Sequence, residues 1–237
     1  VVVFFPEASI RTRVTFEKAV ASLGGTCFRF PSSALDKSES VKDVISYLNN
    51  WADIIVVRHK SIYVIEEIDK YFDGLVINAM TDVNHPCEVL SDLYSLSHIR
   101  DRYKSDKYLY VGPNSNIGLA WKEASELLKL DFSQVCPAGY EMENVLATND
   151  LNEAIKNKDI VLTDCPDANN PTAFEPYMIT SEIMRQANPG ALLNCCPPFI
   201  RGREVSSEVV DDSEFFVGYK FKASLLSISQ AVLVLLT

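Results

Sequence analysis

A serine, two arginines and a threonine crowd one short stretch, Ser9, Arg11, Thr12 and Arg13 in "FFPEASIRTRVTFEKAVASLGG" (residues 4–25), of a chain whose net charge is −10. The residues before it form an apolar run. Those after it place Phe16, Ala19, Val20 and Leu23 at helical spacing, with Gly24-Gly25 as a stop. Ser9, Arg11 and Thr12 therefore fall where a strand hands over to a helix, and a helix N-terminus favours an anion through its unpaired N–H groups and dipole. Hydroxyl donors and a planar guanidinium suit a phosphate there. The plainer alternative is that Ser9 caps the helix and the arginines are solvated.

Further reactive types recur just after apolar runs. Arg58 and His59 follow "ADIIVV", His85 follows "LVINA" in "MTDVNHPCE", and "VGPNSN", "TDC" and "NCCPP" close later runs. Each has an ordinary explanation, an ion pair of Arg58 with Glu66 or Glu67, or His85 as a plain helix-start residue. Their common placement at strand ends instead describes a cleft for a phosphorylated compound and a polar partner.

The elements that must position these groups alternate along the chain. Strand-like runs are "VVVFF", "GTCFRF", "ADIIVVR", "LVINA", "KYLYVG", "QVCPAG", "DIVLTD" and "ALLNCC". Helical patterns cover 11–23, 41–49, 62–72, 87–99, 118–130, 151–157 and 181–187. Strands that are apolar throughout, separated by helices, predict an α/β protein with parallel sheets covered on both faces. The polar joint "SHIRDRYKSDK" (97–107) divides it into two doubly wound domains, residues 1–98 and 99–237. The apolar end "AVLVLLT" is too short for a membrane span and reads as a buried last helix.

The acidic balance argues against a nucleic-acid surface. Six cysteines without CxxC spacing and three histidines speak against a zinc site and for reduced thiols in a cytoplasmic or organellar compartment. Beginning on Val1 inside a strand-like run, the chain is expected to lack an upstream segment, so targeting, mitochondrial targeting included, stays open.

Four of these segments, taken together and in order, resemble the aspartate/ornithine carbamoyltransferases. "EASIRTRVTFEKAVASLGG" resembles the family's Ser-Thr-Arg-Thr-Arg carbamoyl-phosphate motif, "ADIIVVRH" its second phosphate-site arginine strand, "NAMTDVNHPCEVLSDLYSL" its His-Pro-Cys-Gln motif, and "NCCPPFIRGREVSSEVVD" its His-Cys-Leu-Pro segment. The resemblance implies a carbamoyl-phosphate domain, lacking its first helix, and an amino-acid domain, with the last helix (about 224–237) packing back on the first. It also implies transfer of a carbamoyl group to an amine with release of phosphate, without metal or cofactor. Ser9, Ile10 (through its backbone), Arg11 and Thr12 are then expected to hold the phosphate, Arg58 to bridge phosphate and carbonyl oxygen, and His85 to donate to that oxygen as charge develops. Arg13 takes a structural role beside a carboxylate. "SSALDKSES" resembles the loop that reaches into a neighbouring subunit, which makes Lys37 a shared-site residue and the assembly a homotrimer.

The pattern departs at several points. Ile10 replaces a threonine, Glu88 the glutamine expected at the carbamoyl amide, Asn194 the histidine of His-Cys-Leu-Pro, and Leu225 the arginine of the last helix in the ornithine branch. The Ser-Met-Gly loop after Asp164 is missing, "CPDANNPTAFEPY" running directly onward. On the amine side the resemblance assigns Asn116 to the amino-acid carboxylate, Asp164 to an α-ammonium, and Cys195, with Cys196 beside it, to the attacking amine. No arginine lies between Lys107 and Leu130, which favours ornithine over aspartate. The alternatives are an aspartate or other-amine carbamoyltransferase, or a non-catalytic paralogue.

Overall fold

In the computed structural model, residues 1–165, 170–211 and 214–236 are described. The chain forms two compact units, one of residues 1–92 with 223–237 and one of residues 93–222.

The first unit runs β1 (Val2–Phe5), α1 (Arg11–Ser22), β2 (Phe28–Pro31), α2 (Val41–Leu48), β3 (Ile54–Arg58), α3 (Ile62–Tyr71), β4 (Leu75–Met80) and α4 (Pro86–Ile99), the last passing into the second unit. Its strands are parallel, in the order β2-β1-β3-β4. Alternate residues of β1 and β3 feed opposite faces. Val3, Phe5 and Val56 join Phe16, Ala19, Val20 and Cys87 on one side, and Val2, Phe4, Ile55 and Val57 join Ile45, Ile65 and Ile68 on the other. That double burial is why these strands are apolar throughout.

The second unit continues with β5 (Lys107–Val111), α5 (Asn116–Leu128), β6 (Asp131–Val135), β7 (Leu146–Thr148), α6 (Leu151–Ala154), β8 (Ile160–Thr163), α7 (Ser181–Met184), β9 (Leu192–Cys195), α8 (Ser207–Asp211) and α9 (Gly218–Lys222). Its parallel sheet has the order β7-β6-β5-β8-β9. Leu109, Val161 and Leu193 pack one face with Ile155, Met184 and Val209. At the base, Asp159 ties the unit together, accepting from the Lys107 amide (3.0 Å), Asn188 (3.0 Å) and Arg102 (3.1 Å).

The last helix, α10 (Leu225–Leu235), belongs to the first unit, where it packs on α1 and adds Leu233 to the core.

The structure moves several of the element boundaries read from sequence. By packing, the two compact units divide at Asp92/Leu93, inside α4, close to the division after residue 98 read from sequence. Polarity at 97–107 marks the end of that helix, whereas packing changes earlier, Ser95 already donating to the Phe221 carbonyl at 3.1 Å. The helices expected over 151–157 and 181–187 stop at Ala154 and Met184. Strand β6 begins at Asp131 instead of Gln134, and β7 is additional. Polar Ser133 and Gln134 disguise β6. They are buried because Ser133 donates to the Tyr108 carbonyl and Gln134 spans the Gly112 and Tyr140 carbonyls and the Met142 amide.

Candidate active site

Each sheet reverses its strand order at one place, between β1 and β3 in the first unit and between β5 and β8 in the second. A crevice outside the strand carboxyl ends is expected at such a reversal. Most of the residues singled out in the sequence lie there.

In the first unit, the turn after β1 carries Ser9, 5% exposed, and α1 begins with Arg11 and buried Thr12. Ser9 does not cap the helix: the cap position is Ile10, which makes no side-chain cap bond, and the first turn holds no acid. A side-chain cap contributes about 1 kcal/mol, whereas burying a residue such as Phe16 contributes about 1.5–3 kcal/mol, so packing sustains α1 without a side-chain cap. Exposed Ile10 offers this turn only backbone. Arg11 is exposed beside it, and Arg13 pairs with Glu17 (3.6 Å), away from this role.

Arg58 comes to the same place from the end of β3. The β3–β4 register shifts between Val57, opposite Asn78, and Arg58, opposite Met80, a bulge that re-aims the strand end. Its Nη1 then reaches the hydroxyls of Ser9 (3.3 Å) and Thr12 (3.2 Å). Beyond β4, the turn at 81–84 closes through the Thr81 amide on the Asn84 carbonyl (2.8 Å) and delivers His85, 7% exposed, to the start of α4, where Pro86 occupies the first helical position. Glu88 follows in the first turn and is 4% exposed. Burial, with Glu88 adding to it, pushes the neighbouring Cys87 thiol up to about 12. Lys37 lies on the exposed stretch after a short 3-10 turn, Ser32–Leu35. Leu225 is a buried packing residue at the start of α10.

In the second unit, Asp164 follows β8 and accepts from the Ser115 hydroxyl at 2.6 Å. Ser115 caps α5 (Gly118 amide, 3.3 Å) and contacts the Tyr110 hydroxyl (2.8 Å). Burial foremost, with Asp164 adding to it, holds Tyr110 well above the ordinary phenol value, so it stays a neutral partner. Gly118 lets the ring lie against the helix, since a Cβ there would come within 2.8 Å of Tyr110. Asn116 opens α5 next to this triad. The sequence reading missed Ser115, for which "NSNIG" held a signal, a serine at the N-cap directly after a strand.

Asn194 and Cys195 end β9, with Cys196 following, and all three are buried. Burial foremost, with Glu204 adding to it, pushes the Cys195 thiol up to about 12, so Cys195 is protonated and inert as a nucleophile at neutral pH. Beside Asp164 opens a cavity of about 440 Å3. Phe174, Tyr177 and Met178 wall it, and Glu175, Arg203 and Glu204 add charge, none of which the sequence reading named. The segment where the Ser-Met-Gly loop is missing falls partly on residues 166–169, outside the described residues. Among the described residues no cluster fits a metal ion, and no helix is long and apolar enough to cross a membrane.

Comparison with known proteins adds an independent observation. Residues 1–98 match the family described as "Aspartate/ornithine carbamoyltransferase, carbamoyl-P binding domain", and residues 104–236 match its "Asp/Orn binding domain". Similar curated proteins include the ornithine carbamoyltransferases of Chlorobaculum tepidum (32% identical, covering 92% of this chain and 71% of the relative) and Chromobacterium violaceum (32%, 90% and 76%). Among solved structures, the ornithine carbamoyltransferase from Pyrococcus furiosus superposes with a TM-score of 0.94 at 27% identity, over 99% of this chain and 83% of that one.

Proposed function

The chain belongs to the aspartate/ornithine carbamoyltransferase family, carrying both its domains in order, and from that premise we propose that it moves the carbamoyl group of carbamoyl phosphate to the side-chain amine of ornithine. The observation that supports this most is the Arg58 guanidinium on the Ser9 and Thr12 hydroxyls at an uncapped helix start. Those groups, with Arg11, offer a dianionic phosphate charge and several donors. As the neutral amine attacks, charge develops on the carbonyl oxygen, and Arg58 and His85 stabilise it before phosphate leaves. Positioning and oxyanion stabilisation account for the chemistry.

The choice of ornithine over aspartate draws support from the second unit. Among the described residues, Asp164, Glu175 and Glu204 face its cavity against one guanidinium, Arg203. Three carboxylates to one cation complement a substrate with two amino groups and one carboxylate better than one with the reverse. Asp164 takes the α-ammonium, Asn116 the carboxylate, and the end of β9, with protonated Cys195 and Cys196 beside it, the attacking amine.

The reading extends to a homotrimer in which Lys37 serves the neighbouring copy's phosphate site. It extends to a cytoplasmic place in arginine formation as well, with which free thiols agree. A colorimetric assay for ureido products, with carbamoyl phosphate and ornithine, aspartate, putrescine or acylated ornithines, tests it. Turnover is expected with ornithine; turnover with aspartate alone, or with none of the amines, contradicts it.

A further inference from the structure

His59 is a buried titratable group that this chemistry leaves unused. It follows Arg58 directly, and its own amide donates to the Met80 carbonyl at 3.1 Å, so it is fixed by the same bulge that turns Arg58 toward Ser9 and Thr12. Its ring is 4% exposed and both nitrogens are engaged. Nδ1 lies 3.1 Å from the Ser61 amide and 3.3 Å from the Ser61 carbonyl, and Nε2 faces a carboxylate, which accepts and cannot donate when ionised. Nε2 in turn donates to Asp36 Oδ1 at 3.0 Å.

Asp36 immediately precedes Lys37. Upstream, the 3-10 turn is anchored by buried Ser32 and Leu35. Downstream, Ser40 caps α2 by accepting from the Asp43 amide (3.1 Å) and donating to its carboxylate (2.7 Å). The exposed stretch 36–40 thus hangs between two local anchors. Among the described residues, Asp36 on His59 is the side-chain bond that ties it to the strand end bearing Arg58.

We propose that His59 is a positioning residue. Through Asp36 it fixes the segment carrying Lys37, and it thereby sets the affinity for carbamoyl phosphate. The inference rests on the carbamoyltransferase reading above. It assigns His59 no contact with substrate. An ordinary buried histidine satisfying its own hydrogen bonds would show the same burial, so the two roles must be separated by what happens at the phosphate.

Asp36 gives the clean handle, because its side chain is 54% exposed and its loss opens no hole in the core. In the full-length protein, Asp36→Ala should raise the KM for carbamoyl phosphate about tenfold, the worth of one hydrogen bond to a carboxylate. The KM for ornithine and the Tm should stay close to wild type. Asp36→Asn, which keeps an Oδ1 acceptor for the imidazole, should recover most of the loss. In a Lys37→Ala background, where the segment has nothing left to position, Asp36→Ala should add little to the calorimetric Kd for carbamoyl phosphate. An active wild type whose carbamoyl-phosphate KM moves less than twofold in Asp36→Ala overturns this inference alone. So does full additivity with Lys37→Ala, or a Tm loss that accounts for the change. A wild type that turns over no amine overturns the carbamoyltransferase reading and this inference with it.

Discussion

The two units place their polar groups at equivalent points, the reversal of a parallel sheet, yet fill them with opposite chemistry. At β1/β3 the contributors are donors: two hydroxyls, Arg11, Arg58 and an uncapped helix start. At β5/β8 they are an acceptor, Asp164, held by Ser115 and backed by a phenol that stays neutral. In the second unit the α5 start is capped by its own serine, which also donates to Asp164, whereas α1 has no side-chain cap. A few side chains at the helix N-terminus set which groups each reversal presents.

That comparison can be broken most severely at Arg58. Arg58→Met should lower kcat/KM by about 10²–10³, the cost of losing an oxyanion-type donor, with kcat falling at saturating substrate. A loss confined to the KM for ornithine would place Arg58 on the wrong side of the comparison. If the proposed shared site holds, Lys37→Ala and Arg58→Ala subunits, each inactive alone, should regain part of the wild-type rate when mixed, measured as ureido product per site.

A smaller effect is expected at Glu88, the one carboxylate among donors. Glu88→Gln removes a buried acid from the anion's surroundings, and carbamoyl phosphate should bind about tenfold more tightly by calorimetry. Weaker binding would mean that Glu88 is itself a required acceptor.

In the second unit, Gly118→Ala forces a methyl to within 2.8 Å of the Tyr110 ring. Overpacking of this kind costs about 1–3 kcal/mol, read as a lower Tm, and the KM for ornithine should rise severalfold while that for carbamoyl phosphate holds.

The smallest effect concerns pH. Burial pushes the Asp159 carboxyl up, but the Lys107 amide, Asn188, Arg102 and Arg100 outweigh it and hold it below its usual range. A depressed carboxyl stabilises the fold above its unfolded value, about 3.9, and the contribution is lost as pH falls through the folded value. Asp159→Asn should therefore be less stable than wild type at pH 7, and the gap in denaturation midpoint should narrow below about pH 4.

The first unit was the more legible in sequence. Its strands are apolar on both faces, and Ser9, Arg11, Thr12, Arg58 and His85 stand directly after them, so periodicity alone brings them to one sheet edge. Sequence could not show that Ser9 serves Arg58 rather than the helix, because both uses need the same hydroxyl in the same place. The second unit hid more. Ser133 and Gln134 interrupt β6 with polar residues satisfied by partners distant in sequence, and the cavity draws Tyr177, Arg203 and Glu204 from segments separated from Asp164 along the chain. The exact point where packing divides the units was less legible, because α4 is continuous across it and neither glycine nor proline marks Asp92/Leu93.

The most direct test of the division of labour is calorimetric binding of carbamoyl phosphate, without amine, to wild type, Arg11→Ala and Asp164→Asn. The account predicts binding to wild type and Asp164→Asn alike and none detectable to Arg11→Ala. Undiminished binding to Arg11→Ala, or its loss in Asp164→Asn, would contradict it.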